Sequence, residues 1–395
     1  MNEKAGPLKF QLFLFLCAVG CMAAAGSIND SIFNNFLNDT FKLSAKTRGW
    51  LELPREMPGF MVVAMTGILA ALPVTGLGRV GVLGFVGGMI GLGLFGFHYW
   101  PMVLMMMLAS SGMHLLMPVT ASIALALGNE KNRGKRMGQT GAVETMGIIL
   151  GTGFVWLLFS KTSPQYRMGF ICAAVVASVA ILIYSLMHIP HLHQPRSKLV
   201  FRKKYALYYL LELMFGARKQ IFLTFGPWVL ITVYHRPANT IANLLMIAAV
   251  IGIVFKPAIG FTIDRFGERG VMIADGLALI FVCLGYGYAH RLTANPNHAL
   301  LIASGCYIAD NLLFAMSSAR AIYLSRLTDN PQELTSTLAM GVSINHVVSM
   351  TIPILAGTIW TVFGYENVFL AAAVLAVLIS GLAMFVPRRK EEAVE

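Results

Sequence analysis

The chain has 395 residues, of which 57% are hydrophobic and 12% charged, with a mean hydropathy of +0.70. That balance excludes an ordinary soluble domain and indicates a polytopic membrane protein. The formal net charge of +12 does not imply nucleic acid, because the basic residues form short clusters between apolar stretches and no single patch or stripe.

A window of about 20 residues per span predicts twelve helices, near residues 9–37, 49–72, 80–98, 101–128, 137–160, 168–188, 204–234, 239–262, 270–290, 298–323, 334–359 and 366–387. The first opens with MNEKAGPLKFQLFLFLCAVGCMAAAG, which has the layout of a secretory signal. Its apolar stretch continues through SINDSIFNNFL to the length of a tilted span, so it reads as retained. Ser27, Asp30 and Asn34 follow i, i+3, i+7 spacing and share one face. Asp30 there could carry a coupling proton or serve as a counter-ion.

In the second helix, ELPREMPG places Glu52, Arg55 and Glu56 at the outer boundary, as an outer gate or a local ion pair. The fourth carries His114, a packing residue or a proton and substrate group, and the run MVLMMML, which reads as flexible core filling. In the fifth, Glu144 either pairs with a base of the NEKNRGKR loop or faces substrate. Cys17, Cys21, Cys172, Cys283 and Cys306 all fall inside apolar spans without paired spacing, so neither a disulfide framework nor a zinc site is expected. HIPHLH after the sixth helix reads as a wet basic loop before it reads as a metal site.

The longest polar connection, PHLHQPRSKLVFRKKY, follows the sixth helix. It divides the chain into an N-terminal six-helix bundle at 1–189, a linker at 190–203 and a C-terminal six-helix bundle at 204–395. The halves rhyme. GSINDSIFNNFL in the first helix matches GARKQIFLTFGP in the seventh, and SGMHLLMPVTASI in the fourth matches YIADNLLFAMSSAR in the tenth. An even span count puts both termini on one side, where Lys and Arg concentrate, and the positive-inside rule makes that side cytoplasmic.

The seventh helix poses the main question, because LMFGARKQIFLTFGPW sets Arg218 and Lys219 side by side in an apolar run. Each charge at bilayer depth costs about 2.5–3.5 kcal/mol, so both need a partner or a task. Glu212 and Lys219, seven residues apart, share a face, and Arg218 points about 100° away from Lys219. The expectation is that Arg218 and Lys219 both face the central cavity, one engaging the cargo or an acid such as Asp30, the other tying the bundle together. Lys256 in the eighth helix reads as snorkelling. The tenth has Asp310 and Asn311 at mid-span, with Arg320 three turns on as a structural residue. The eleventh carries a stripe of Gly341, Asn345 and Ser349 with His346 beside it.

The turn after the eighth helix reads GFTIDRFGERG, Gly260 to Gly270. It resembles the signature loop of the major facilitator superfamily, Gly-x-x-x-Asp-Arg-x-Gly-x-Arg. Gly260 would then permit close helix approach, Asp264 cap a helix or pair with a base, Gly267 hold the fixed glycine position, and Arg265 and Arg269 hold helix-end carbonyls. The first-half copy, GILAALPVTGLGRVG, keeps Gly67, Gly78 and Arg79 but has Ala71 where the acid is expected. The glycine-rich fifth helix, GAVETMGIILGTGF, is similar to the superfamily's antiporter motif without its Gly-Pro pair and points to export.

The resemblance implies an all-α polytopic membrane protein with two pseudo-symmetric six-helix bundles, in which helices one, four, seven and ten line a central cavity. The expected substrate and coupling residues are Asp30, Asn34, His114, Glu212, Arg218, Lys219, Asp310, Asn311, Asn345 and His346. The expected activity is proton-coupled secondary transport of a small organic solute with an anionic group, by alternating access. No cofactor or metal is expected, and neither nucleotide-binding nor hydrolase motifs occur, so this reads as a transporter and not an enzyme. The expected setting is a monomer in the cytoplasmic membrane, with a small-molecule substrate, a proton and the lipid bilayer as partners. The rival readings are an exporter of cationic or amphipathic drugs with Arg218 and Lys219 neutralised internally, a divalent-metal exporter using Asp30, His114, Asp310 and His346, and a non-transporting sensor or lipid-handling protein.

Overall fold

The computed structural model describes residues 8–69, 71–128, 133–159, 164–189, 201–329 and 331–388, and helix is the regular structure among them. In chain order the helices are α1 (Leu8–Phe41), α2 (Ala45–Trp50), α3 (Glu52–Phe60), α4 (Val62–Ile68), α5 (Val74–Phe95), α6 (Tyr99–Ala126), α7 (Arg133–Leu158), α8 (Tyr166–Leu186), α9 (Ala206–Thr232), α10 (Ala238–Leu292), α11 (Pro296–Leu313), α12 (Ser318–Leu327), α13 (Pro331–Phe363) and α14 (Tyr365–Ala383). A 3-10 turn at Lys203–Tyr205 leads into α9, and another at Phe314–Ser317 joins α11 to α12.

Among the described residues, nine helical stretches are long and apolar enough to cross a membrane; they hold ten spans, and the broken α2–α4 and the polar α9 supply the other two expected ones. The 55-residue α10 holds two spans, because Gly267 at φ 75°, ψ 161° breaks the helix inside it. Only glycine adopts that conformation without strain, so the signature turn is a single-residue elbow instead of a loop. The second span is the expected 49–72 helix in pieces, α2 to α4. Pro54 and Pro58 remove backbone donors from it, and Pro58 lies inside α3. The seventh span, α9, falls below the apolar threshold because Glu212, Arg218, Lys219 and Gln220 share its interior.

The chain packs as two compact units. The first comprises residues 1–43, 54–196 and 235–250. The second comprises residues 44–53, 197–234 and 251–395. Residues 190–200 of the expected linker lie outside the described residues.

In the first unit, Phe36 is fully buried and stacks edge-on with Phe41, Phe97, Tyr166 and Phe170. Tyr166 also donates a hydrogen bond to Asp39. In the second unit, Phe222, Tyr286 and Phe369 form the matching aromatic knot, and the Tyr286 hydroxyl donates to the Gly226 carbonyl. With lipid as apolar as leucine, such interlocking contacts and buried hydrogen bonds hold membrane helices together.

Within the second unit, α2 lies directly against α13. A Cβ placed on Gly49 would sit 2.1 Å from the Pro353 carbonyl oxygen, and one on Gly357 would sit 2.5 Å from the Ala45 oxygen. Ser44 starts α2 by accepting a hydrogen bond from the Thr47 N–H at 3.1 Å. Gly260 behaves differently. A Cβ there meets nothing within 4 Å among the described residues, so they give no support to the close-approach role expected of it. Gly49→Ala and Gly357→Ala are therefore expected to lower the melting temperature of the purified protein, whereas Gly260→Ala leaves it unchanged or slightly raised, since alanine is the better helix former.

Candidate functional site

Three successive residues of α9 face three different helices. About 100° separates neighbouring side chains on a helix, and Arg218, Lys219 and Gln220 use that fan to reach α11, α13 and α3. Arg218 pairs with Asp310 of α11, and the two are 1% and 2% exposed. The Arg218 guanidinium lies 5.5 Å from the ring centres of both Phe222 and Phe314, so aromatic faces supply the rest of its surroundings. Arg218, expected with Lys219 at the central cavity, is instead enclosed, its charge neutralised by a neighbour inside the second unit.

Lys219 is half-buried, and its ammonium donates to the Asn345 Oδ1 at 2.7 Å. The Ser349 hydroxyl reaches the same oxygen at 3.4 Å. One member of the α13 stripe thus holds Lys219 and a second donates to the same amide oxygen, while His346 beside them is buried. Gln220, fully buried, donates to the Glu52 Oε2 at 2.7 Å. Glu52 accepts from Arg48 at 2.5 Å on its other oxygen, and Arg48 sits 6.0 Å from the Trp228 ring. Of the expected outer gate, Glu52 thus joins a hydrogen-bonded network with Arg48 and Gln220 in the second unit.

One turn and a half before Arg218, Glu212 pairs with Arg320 of α12 at 2.8 Å. The Arg320 guanidinium lies 3.5 Å over the Phe215 ring. Asn311 turns back on its own helix, donating to the Tyr307 carbonyl at 2.8 Å.

The first unit gathers a second cluster. Arg55 pairs with Glu56 at 3.1 Å, and Glu56 lies 4.0 Å from the His114 Nε2. His114 Nδ1 is 3.1 Å from the Ser110 hydroxyl, which itself donates to the Arg55 carbonyl. On α1, Asp30 is exposed with Asn29 at 3.4 Å, Asn34 is half-buried, and Ser27 donates to the Ala24 carbonyl. Asn35, which the spacing argument passed over, is buried and donates to the Arg236 carbonyl at 2.9 Å.

At the Gly267 elbow, Asp264 and Arg265 are exposed and Arg269 is half-buried. The acid seated in this turn is Glu268, 3% exposed and 2.9 Å from Arg326. It hides at a variable position of the signature. Arg48 and Gln220 were also missed, although Gln220 directly follows the two cations that drew attention.

A family model described as Major Facilitator Superfamily matches residues 14–330 and 213–395. The chain belongs to the major facilitator superfamily. Solved superfamily structures share the fold. The nucleoside transporter NupG superposes with a TM-score of 0.74 at 16% identity, covering 99% of this chain and 100% of that one. A D-xylose-proton symporter gives 0.73 at 16% identity, covering 97% and 99%. The E. coli Fucose:proton symporter FucP gives 0.63 at 15% identity, covering 97% and 100%. At such identities the likeness is one of fold. No curated protein matches the sequence.

Within this superfamily fold, the Arg218–Asp310 pair is buried at both ends, which makes it sensitive to change. Removing one member of a buried pair costs about 3–5 kcal/mol, whereas replacing both by apolar residues can be neutral or better. Arg218→Met should strongly lower the melting temperature, and the Arg218→Met/Asp310→Leu double variant should recover most of the loss. A double variant as unstable as the single one would show that the pair does more than neutralise itself.

Proposed function

We propose that the protein is a proton-coupled secondary transporter of a small organic solute bearing an anionic group, working in the cytoplasmic membrane with both termini cytoplasmic. The orientation is supported by the concentration of Lys and Arg on the side of the termini. Membership of the superfamily supports transport, and the names of two structural neighbours support proton coupling, since they are described as proton symporters.

The anionic character of the cargo rests on one observation. Of the two adjacent cations in α9, Arg218 is buried against Asp310, while Lys219 is half-exposed and held by the side-chain carbonyl of Asn345. An ammonium offers three donors, so Lys219 can keep the amide and still meet a carboxylate or phosphate oxygen. Asn345 and Ser349 would fix the approach. The export suggested by the fifth helix has a plainer explanation in packing. A Cβ on Gly147 or Gly151 would lie 2.6 Å from the Gly20 oxygen or 2.2 Å from the Ala24 oxygen of α1. The glycines let α7 approach α1, and direction is left to transport assays.

Ligand binding to the folded state raises its stability by mass action. The test is therefore the melting temperature of purified protein with panels of organic monocarboxylates, organic phosphates, neutral sugars, nucleosides and lipophilic cations. Members of an anion panel should stabilise wild type by a few degrees and lose that effect in Lys219→Gln. Stabilisation by sugars, nucleosides or lipophilic cations that is equal in both proteins would overturn the anionic reading.

A further inference from the structure

Within the first unit, the corner where α5 turns into α6 and α8 begins holds a cavity of about 500 Å³. Phe97 of the α5–α6 turn lines it, together with Tyr166, Arg167, Met168 and Ile171 from the start of α8. Gly93 lets the end of α5 come this close to α8: a Cβ there would lie 2.9 Å from the Ile171 Cδ1 and 3.3 Å from the Arg167 carbonyl oxygen. Tyr166 is buried and turned towards Asp39, while Arg167, about 100° further round the helix, is exposed.

Arg167 is held in place without a counter-ion. Its guanidinium lies 5.3 Å from the Phe97 ring centre, and Phe97 rests edge-on against the buried Phe36 at 5.5 Å. A guanidinium lying over a ring keeps its N–H fork for other acceptors. Among the described residues no acid pairs with Arg167, and the carboxylate of this corner, Asp39, accepts from the Tyr166 hydroxyl and from Asn38 at 2.9 Å. The walls beside the cation are apolar and lead onto the helix faces. Met168 heads an exposed stripe of Val175, Val179, Leu182 and Leu186 along one face of α8, and Leu83, Ile90 and Leu94 form a matching stripe on α5. On helices long and apolar enough to cross a membrane, such stripes meet acyl chains. Trp100, exposed in the first turn of α6, is of the type that marks the bilayer interface.

We propose that this corner binds one anionic phospholipid, its phosphodiester on the Arg167 guanidinium and the upper part of an acyl chain in the cavity, continuing along α8. The planar fork of arginine matches two phosphate oxygens at once. The positive charge without an acid partner favours a lipid of net negative charge over a zwitterionic one. A free phosphate would satisfy Arg167 but leave the apolar walls of Phe97, Met168 and Ile171 uncovered, whereas a lipid covers both.

The experiment is native mass spectrometry of the detergent-purified protein, titrated with phosphatidylglycerol, phosphatidylethanolamine or phosphatidylcholine of equal chain length. Wild type should take up one phosphatidylglycerol ahead of any further lipid, and more tightly than either zwitterionic lipid. Arg167→Gln should weaken that first event by about tenfold, the worth of the lost charge-assisted hydrogen bonds, and leave later events unchanged. Arg167→Lys keeps the charge without the fork and should fall between. Arg291, exposed in the second unit with its guanidinium 5.4 Å from the Tyr288 ring, is the control, and Arg291→Gln should change nothing. A first event as tight in Arg167→Gln as in wild type, or weakened equally by Arg291→Gln, would overturn the site. Equal affinity for phosphatidylcholine would overturn the choice of an anionic lipid. Displacement of the lipid by glycerol phosphate at matching concentration would reveal a site for free phosphate and overturn the part given to the acyl chain. Arg167 is exposed, so its variants should melt with wild type. Because no cargo is added, failure of the anionic-cargo reading leaves this result unaffected.

Discussion

Neutralising charge at bilayer depth is the constraint around which the second unit is organised. A lone guanidinium there is expensive, and the chain meets that expense by pairing across helices: Arg218 with Asp310, Arg320 with Glu212. Each pair also ties α9 to a different neighbour. Aromatic faces complete both guanidinium environments, Phe222 and Phe314 around Arg218 and Phe215 beneath Arg320. The polar residues of α9 thus act as the fasteners of its bundle before they act as anything else. Lys219, half-exposed and held by Asn345, differs from them in keeping contact with its surroundings, and the proposed binding role falls to it for that reason.

Much of the fold was legible in the sequence because its signals are local. Apolar length sets the spans, and the GFTIDRFGERG turn carries the family signature. The site was legible only in part. Helical spacing tells which residues share a face, and so groups Glu212 with Lys219 on one side of α9. It does not say which helix that face meets, and the partners Arg320 and Asn345 came from packing. Arg218 and Asp310 were each conspicuous as isolated charges, yet nothing along the chain links them.

The residues that escaped notice share a physical reason. Gln220 is uncharged, so its burial carries no obvious penalty in a sequence reading, although an amide buried at this depth needs a hydrogen bond as surely as a charge needs a counter-ion. Asp275 and Glu268 sit close to a basic turn, where an acid looks solvated. Only tertiary packing shows both to be enclosed. Gly260 errs the other way: the motif suggested close packing, and a Cβ there meets nothing within 4 Å among the described residues.

The short α2 segment bears on how this chain can be taken apart. Residues 44–53 are encoded in the first half of the sequence, but they pack among the helices of the second. Arg48 and Glu52 close over Gln220 and Trp228, and Gly49 fills a groove along α13. A gene cut at the central linker would produce a C-terminal fragment missing part of its own interior. Two separately made halves would then have to complement each other like a split reporter, because ten residues of one are structural stuffing for the other. The ten-residue segment makes the halves unequal, so neither is an interchangeable cassette.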